Sequence, residues 1–245
     1  MNFNIYDIYT DASIDLQKKI GCAGALVVNR RTNEIKNEIF ALRYNATNNL
    51  CEIIAIWLGI YQAIGLLNTE LEPFHVNLFS DSQISLFGMR EWIPGWIRNR
   101  KGEAMISSSG VVANQEWFRD GYHAILGSGL KIKLFHQKGH VITNNPKHLY
   151  VAEKTFRTSN VNSLHMIGLT AQTISNYNNM VDNDTRNIVH SVCDMGIDPR
   201  TIPNVLLNYG PTMMFDFHDS EIDIYKSQIR GGLNYPRMFK FNGGI

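Results

Sequence analysis

Apolar positions run in short strand-like stretches through the first forty residues, then change period at residue 48. Residues 3–10 (FNIYDIYT) mix β-branched and aromatic side chains and stop at Asp11, which predicts a strand with a polar group at its tip. Residues 21–30 (GCAGALVVNR) predict a second strand, Arg31-Thr32-Asn33 a turn, and residues 34–42 a third strand, together an antiparallel meander. Over residues 48–66, Ile53, Ile56, Trp57, Ile60 and Ile64 recur at intervals of three and four, the spacing of a buried helix face, with Asn48 or Asn49 placed to cap it. Residues 74–80 predict a strand ending at Asp81. A helix is then expected from Ser82, another near 114–126, a strand at 131–136, and a helix at 146–157 that opens on Pro146.

Three strands, helix, strand, helices, strand and helix, in that order, imply an α/β fold: a five-stranded mixed sheet flanked by helices. Past residue 158 the pattern weakens. Ser159, Asn160, Asn162 and Ser163 form a polar linker, helices are expected at 169–181 and 185–193, and Asp198-Pro199 and Gly231-Gly232 punctuate the rest. The chain therefore divides into an N-terminal α/β domain at 1–158 and a mainly helical C-terminal extension at 159–245, with no internal repeat.

Composition narrows the class. With 44% apolar residues in 245, a core can be buried without cross-links. Cys22, Cys51 and Cys193 lie far apart with no C-x-x-C pair, which argues against a disulfide framework or zinc ribbon and suits a reducing, cytoplasmic setting. No apolar run reaches the roughly 20 residues a membrane span needs, and the first residues read as a strand and not as a targeting peptide. Net charge is +1, but residues 1–158 carry 17 Lys+Arg against 14 Asp+Glu, and residues 159–245 carry 6 against 8. The basic excess falls on the N-terminal domain and is compatible with a phosphate-backbone ligand.

The chemistry lies in the acids at element boundaries. Asp11 and Asp81 end separate strands, and Glu52 falls in the first turn of the long helix. Hydrolysis of a phosphodiester by two metal ions needs several carboxylates converging on cations about 3.5–4 Å apart, and hard divalent cations prefer oxygen ligands.

Around these acids the chain resembles ribonuclease H type 1 over nearly all of residues 3–158. Tyr9-Thr10-Asp11-Ala12-Ser13 is similar to that family's Y-T-D-G-S, with Ala in place of Gly. Gly21-Cys22-Ala23-Gly24-Ala25-Leu26 resembles its G-x-x-G-A second strand, and Thr47-Asn48-Asn49-Leu50-Cys51-Glu52 its T-N-N-x-x-E. Ser80-Asp81-Ser82-Gln83 and Lys138-Gly139-His140 resemble its S/T-D-S-Q and K-G-H. The resemblance implies an endonuclease that hydrolyses the RNA strand of an RNA/DNA hybrid with two Mg²⁺ ions, Mn²⁺ being the alternative. In it, Asp11 is the ligand shared by both metals, Glu52 and Asp81 complete most of the cluster, and His140 assists proton transfer or product departure. His136 is a lesser candidate that can equally end its strand.

The family's fourth carboxylate follows in an N-x-x-x-D arrangement. Counting from Asn145 places Leu149 there, so Glu153, one turn further along, becomes the candidate fourth metal ligand. The resemblance further implies that Asn48, Asn49 and Gln83 contact the minor groove, that Thr47 and Asn114 hold a DNA-strand phosphate, and that the Trp- and Arg-rich residues 92–101 form a shortened basic protrusion. The tryptophans there equally suit a core. Residues 160–245 lie outside the resemblance. Tyr177, Tyr209, Tyr225, Tyr235 and Phe239 are open to stacking or core roles, and the Asn/Asp-rich residues 176–184 make no complete calcium loop. Two other functions stay open: a same-fold nuclease for DNA or structured RNA, and a nucleic-acid-binding protein with a degenerate site.

Overall fold

The computed structural model describes residues 4–70, 73–208, 210 and 222–230. Tyr209, Gly231, Gly232, Tyr235 and Phe239 lie outside the described residues. Strands β1 (Asn4–Asp15), β2 (Ile20–Asn29) and β3 (Glu34–Tyr44) form the antiparallel meander. On the other side of β1, β4 (Phe74–Ser80) pairs in parallel. A two-stranded hairpin follows, β5 (Ile106–Ser107) with β6 (Gly110–Val111), and then β7 (Ile132–His136), which lies parallel to β4. A sixth strand, β8 (Val205–Leu207), lies parallel along β3 and gives the order β7-β4-β1-β2-β3-β8. Its three residues are too few to show a period in the sequence.

β1 differs from its expected form in a way that matters for the site. It continues past Asp11 to Asp15 because β2 keeps pairing with it, down to Asp15 opposite Ile20. Pairing with β4 stops earlier, at Thr10 opposite Ser80. Asp11 is therefore a strand tip on one side only.

One face of the sheet is covered by α1 (Asn48–Thr69), which is buried almost all round between the sheet and later helices. By length and composition α1 could cross a membrane, yet 67% of its apolar window is buried in this fold, so its apolarity is that of a central core helix. Thr47, not Asn48 or Asn49, caps it by accepting the Leu50 N–H. The segment after Asp81 forms α2 (Gln83–Phe87), a π-helical turn at Gly88–Trp92, and α3 (Ile93–Arg98). Trp92 and Trp96 pack on Phe87, on each other and on Phe118 of α4 (Gln115–Ser128), which makes them packing residues.

The opposite face is covered from the C-terminal half. Parallel register sets Tyr9 beside Phe79 and Phe79 beside Phe135, and the three rings stack across β1, β4 and β7. Phe156 of α5 (Pro146–Ser159) closes one end of this row and Tyr177 closes the other. After the short α6 (Leu164–Ile167), Tyr177 sits on α7 (Ala171–Cys193), a single helix where the sequence pattern predicts two. Asn and Asp have modest helix propensity and read as a break, but Ile174, Val181, Thr185, Ile188 and Val189 form a buried stripe that overrides it. α7 lies across β1 and β2, beyond the boundary drawn at residue 158, and its contact is close. A Cβ on Gly24 of β2 would stand 2.8 Å from Thr185 Cγ2 and 3.0 Å from the Phe40 ring, so only glycine admits the helix. The last helix, α8 (Ile222–Arg230), returns to the α1 side beside α4, where Tyr225 is fully buried against Tyr122.

Candidate active site

Asp11 and Asp81 occupy equivalent positions one residue past the last paired rung of two neighbouring parallel strands, where side chains from both reach one opening. Glu52 enters from α1, just past its first turn. One carboxylate oxygen from each of the three lies within 4.8 Å of the others.

α7 borders the group. Asn178 Nδ2 donates to Asp11 Oδ2 at 3.1 Å, and its own Oδ1 accepts from the buried Gln137. One turn on, the buried Asp182 is near enough that its charge raises the pKa values of Asp11, Glu52 and Asp81. Arg186 bonds both Asp182 oxygens, at 2.8 and 2.7 Å, and His140 Nδ1 lies 3.6 Å from Asp182 Oδ2. Asn178 and Asp182 thus carry the N-x-x-x-D spacing sought at Asn145. Glu153 is the correction. It is exposed on α5, whose buried side is Ala152 and Phe156, and it is not in the cluster. Its displacement has a simple cause: α5 and α6 are interposed between the Lys138-Gly139-His140 loop and the helix that docks on the sheet.

Crowding of like charges in a buried place shifts these acids strongly. Burial, then the neighbouring Asp81, pushes Asp11 up to about 8 against the opposing hydrogen bonds from Ala12 N–H and Asn178. Burial and the charges of Asp81, Asp11 and Asp182 hold Glu52 well above the usual carboxylate range. Asp81 is raised by burial too, with His140 acting against it. Glu52 Oε2 is buried with no hydrogen-bond partner. An all-oxygen donor set, mutually repelling and with an orphaned buried oxygen, fits a hard divalent cation.

The surrounding loop is shaped around Asp81. A Cβ on Gly139 would fall 1.8 Å from Asp81 Oδ2, so the glycine of the Lys-Gly-His sequence is required for the carboxylate to lie against the backbone. His140 follows with φ 51° and a largely exposed ring. His136 is different: it is buried, depressed to about 4 by that burial, and its neutral Nε2–H donates to the Asp81 carbonyl at 3.2 Å. With its Nε2–H held by the Asp81 carbonyl, it anchors the strand end at the wall of the cleft.

A cleft of about 520 Å³ opens beside the acids, lined among others by Asn49, Asp81, Gln83, Lys138, His140 and Thr155. Asn49 and Gln83 are brought to it, while Thr47, Asn48 and Asn114 stand outside it. Asn114 takes the N-cap position of α4 at φ 53° with no side-chain cap bond. Sequence reasoning misses Asn178, Asp182 and Gln137. The Asn178-to-Asp182 spacing is the available signal, hidden in a stretch where no motif is expected.

The sequence pattern of the RNase H family matches residues 4–148. A ribonuclease H of Rickettsia bellii (strain RML369-C) is 35% identical over 92 residues, which is 38% of this chain and 53% of that protein, so the chain spans about half of its length. A ribonuclease H of Acidovorax sp. (strain JS42) is 31% identical over 135 residues, 55% of this chain and 76% of that protein. Of solved structures, LC9-RNase H1, a type 1 RNase H with the type 2 active-site motif, superposes with a TM-score of 0.44 at 18% identity, covering 65% of this chain and 75% of that one. The family match ends before α7.

Proposed function

Because the chain belongs to the RNase H family, we propose that it is an endonuclease hydrolysing the RNA strand of RNA/DNA hybrids, with Asp11, Glu52, Asp81 and Asp182 holding divalent metal, Mg²⁺ first and Mn²⁺ second. The observation that carries this reading is the convergence of the three family-motif acids, with Asp182 of α7 near enough for its charge to act on all three. Bound cations would supply the activation of a water nucleophile and the stabilisation of the leaving oxygen. Every other part of the chemistry falls to the chain. Asn178 orients the Asp11 carboxylate by its 3.1 Å bond and is itself fixed by Gln137. Gly139 lets Asp81 seat against the loop, and His136 fixes the Asp81 main chain.

His140 stands at the cleft with Nδ1 toward Asp182, which leaves Nε2 as the atom able to pass a proton to the departing oxygen. Asn49 and Gln83 offer amides to 2′-hydroxyls in the minor groove, and that contact distinguishes RNA from DNA. The catalytic unit, on this reading, includes α7. Asp182 also supports a working site over a degenerate, binding-only one, since that alternative draws on an irregular fourth acid. Purified protein offered labelled hybrid, double-stranded RNA, double-stranded DNA and single strands, in Mg²⁺ and in Mn²⁺, tests the proposal. Selective loss of the RNA strand of the hybrid, abolished by Asp81→Asn, is expected; binding without cleavage in either metal overturns it.

A further inference from the structure

α5 stands at the edge of the cleft and lies almost wholly past the family match, which ends at residue 148. Thr155 on this helix lines the cleft. At 3.6 residues per turn, Lys147, Val151, Lys154 and Thr158 share one stripe immediately beside Thr155, and all four are exposed. Tyr150, 67% exposed, and Arg157 border this stripe on its outer side. Lys147, Lys154 and Arg157 have no ion-pair partner among the described residues. Glu153 is the only acid of the helix, and it projects on the side away from Thr155. An uncompensated cationic stripe with an exposed ring, continuous with a cleft of acids, has the charge and position to hold a polyanion that extends beyond the cleft.

We propose that α5 is a second nucleic-acid contact, binding the phosphate backbone of the hybrid where it leaves the cleft past Thr155. The inference rests on the hybrid reading above. Lys147 and Lys154 are separated by about 10 Å along the helix axis, at 1.5 Å per residue. That is about three steps of a strand rising 3.4 Å each, so both ammonium groups can meet phosphates of one strand. Tyr150 adds a flat apolar face for a sugar or a frayed base. The stripe lies outside the reacting centre, so it adds affinity and processive hold on long substrates without altering the chemical step.

The test compares wild type with the double variant Lys147→Gln, Lys154→Gln by fluorescence anisotropy on two labelled hybrids, one of about 8 base pairs, about 27 Å long and confined to the cleft, and one of about 24. The double variant should bind the long hybrid about ten-fold more weakly at low salt, with a log–log salt slope flatter by about two, one for each ammonium group removed from a phosphate. Its affinity for the short hybrid, its single-turnover rate and its melting temperature should match wild type. The pair Lys147→Arg, Lys154→Arg should restore long-hybrid binding. Unchanged affinity for the long hybrid overturns the proposal, and so does an equal loss on both lengths, which would mark a general charge effect. Wild-type protein that binds duplex DNA and hybrid alike, and cleaves neither, overturns the hybrid reading and this one with it.

Discussion

Two long helices past the Lys138-Gly139-His140 loop, α5 and α7, with the short α6 between them, stand in opposite relation to the sheet. α5 comes first and touches it along a narrow side, through Ala152 and Phe156, leaving cations and Tyr150 in solvent. α7 comes after a further turn of chain and lies across β1 and β2, with Asn178, Val181, Asp182 and Thr185 buried. Asp182, the acid whose charge acts on all three motif acids, belongs to the second. Proximity in sequence to the loop does not decide which helix reaches the acids; the complementary surface on the sheet does. Gly24, the Tyr9 ring and the Asp11 carboxylate together make a groove that accepts α7, through Thr185, Tyr177 and Asn178 respectively.

Breaking that docking outright should have the largest effect. A chain ending at Ser159 exposes the apolar clusters around Tyr9 and Leu26 and around Phe40 and Leu42. It should be insoluble or molten and inactive on hybrid, checked by near-ultraviolet circular dichroism and cleavage. A single atom group should do part of the same damage. Gly24→Val places methyl groups where Thr185 and Phe40 already stand and should cost about 3 kcal/mol in urea unfolding, at the upper end of overpacking effects. Next comes the link from α7 to the shared acid. Asn178→Ala removes the 3.1 Å bond to Asp11 and should lower the hybrid cleavage rate by roughly 10- to 100-fold, with a matching rise in the metal concentration needed.

Much of this is legible in sequence, and the boundary of legibility has a physical basis. Asp11, Glu52 and Asp81 sit in motifs whose meaning is local: a strand end, a helix entry, a strand end. Asp182 does not. Its position is fixed by a docking surface far earlier in the chain, and with α5 and α6 in between no motif interval counts to it. Glu153 stands near the expected interval, but the face of the helix that carries it is turned to solvent. The same distinction separates Trp92 and Trp96 from a basic protrusion. Their spacing allows either role, and the rings of Phe87 and Phe118 settle it as packing. Gly24 and Gly139 are visible as motif letters, but their reasons, Thr185 and Asp81, need the fold.

A smaller effect follows from the electrostatics. In the metal-free fold Asp11 titrates near 8, against about 4 for an unperturbed carboxyl. A carboxyl raised on folding favours the folded state when protonated. Its contribution is fully present below about pH 4 and is lost as pH rises toward 8. Asp11→Asn, which cannot ionise, should therefore raise the melting temperature of metal-free protein at about pH 9 by about 3–8 °C and much less at about pH 5. Divalent cation should stabilise wild type at about pH 9 more than this variant, and cation binding should weaken as pH falls below about 7.

The assignment of the fourth acid to α7 is tested most directly by single-turnover cleavage of one labelled hybrid by Asp182→Asn and Glu153→Gln side by side, with metal varied. The account predicts that Asp182→Asn loses at least about 100-fold and that Glu153→Gln stays within about two-fold of wild type, as removal of a metal-holding carboxylate and of a solvated one should behave. A Glu153→Gln enzyme that loses its activity while Asp182→Asn keeps it would contradict the account.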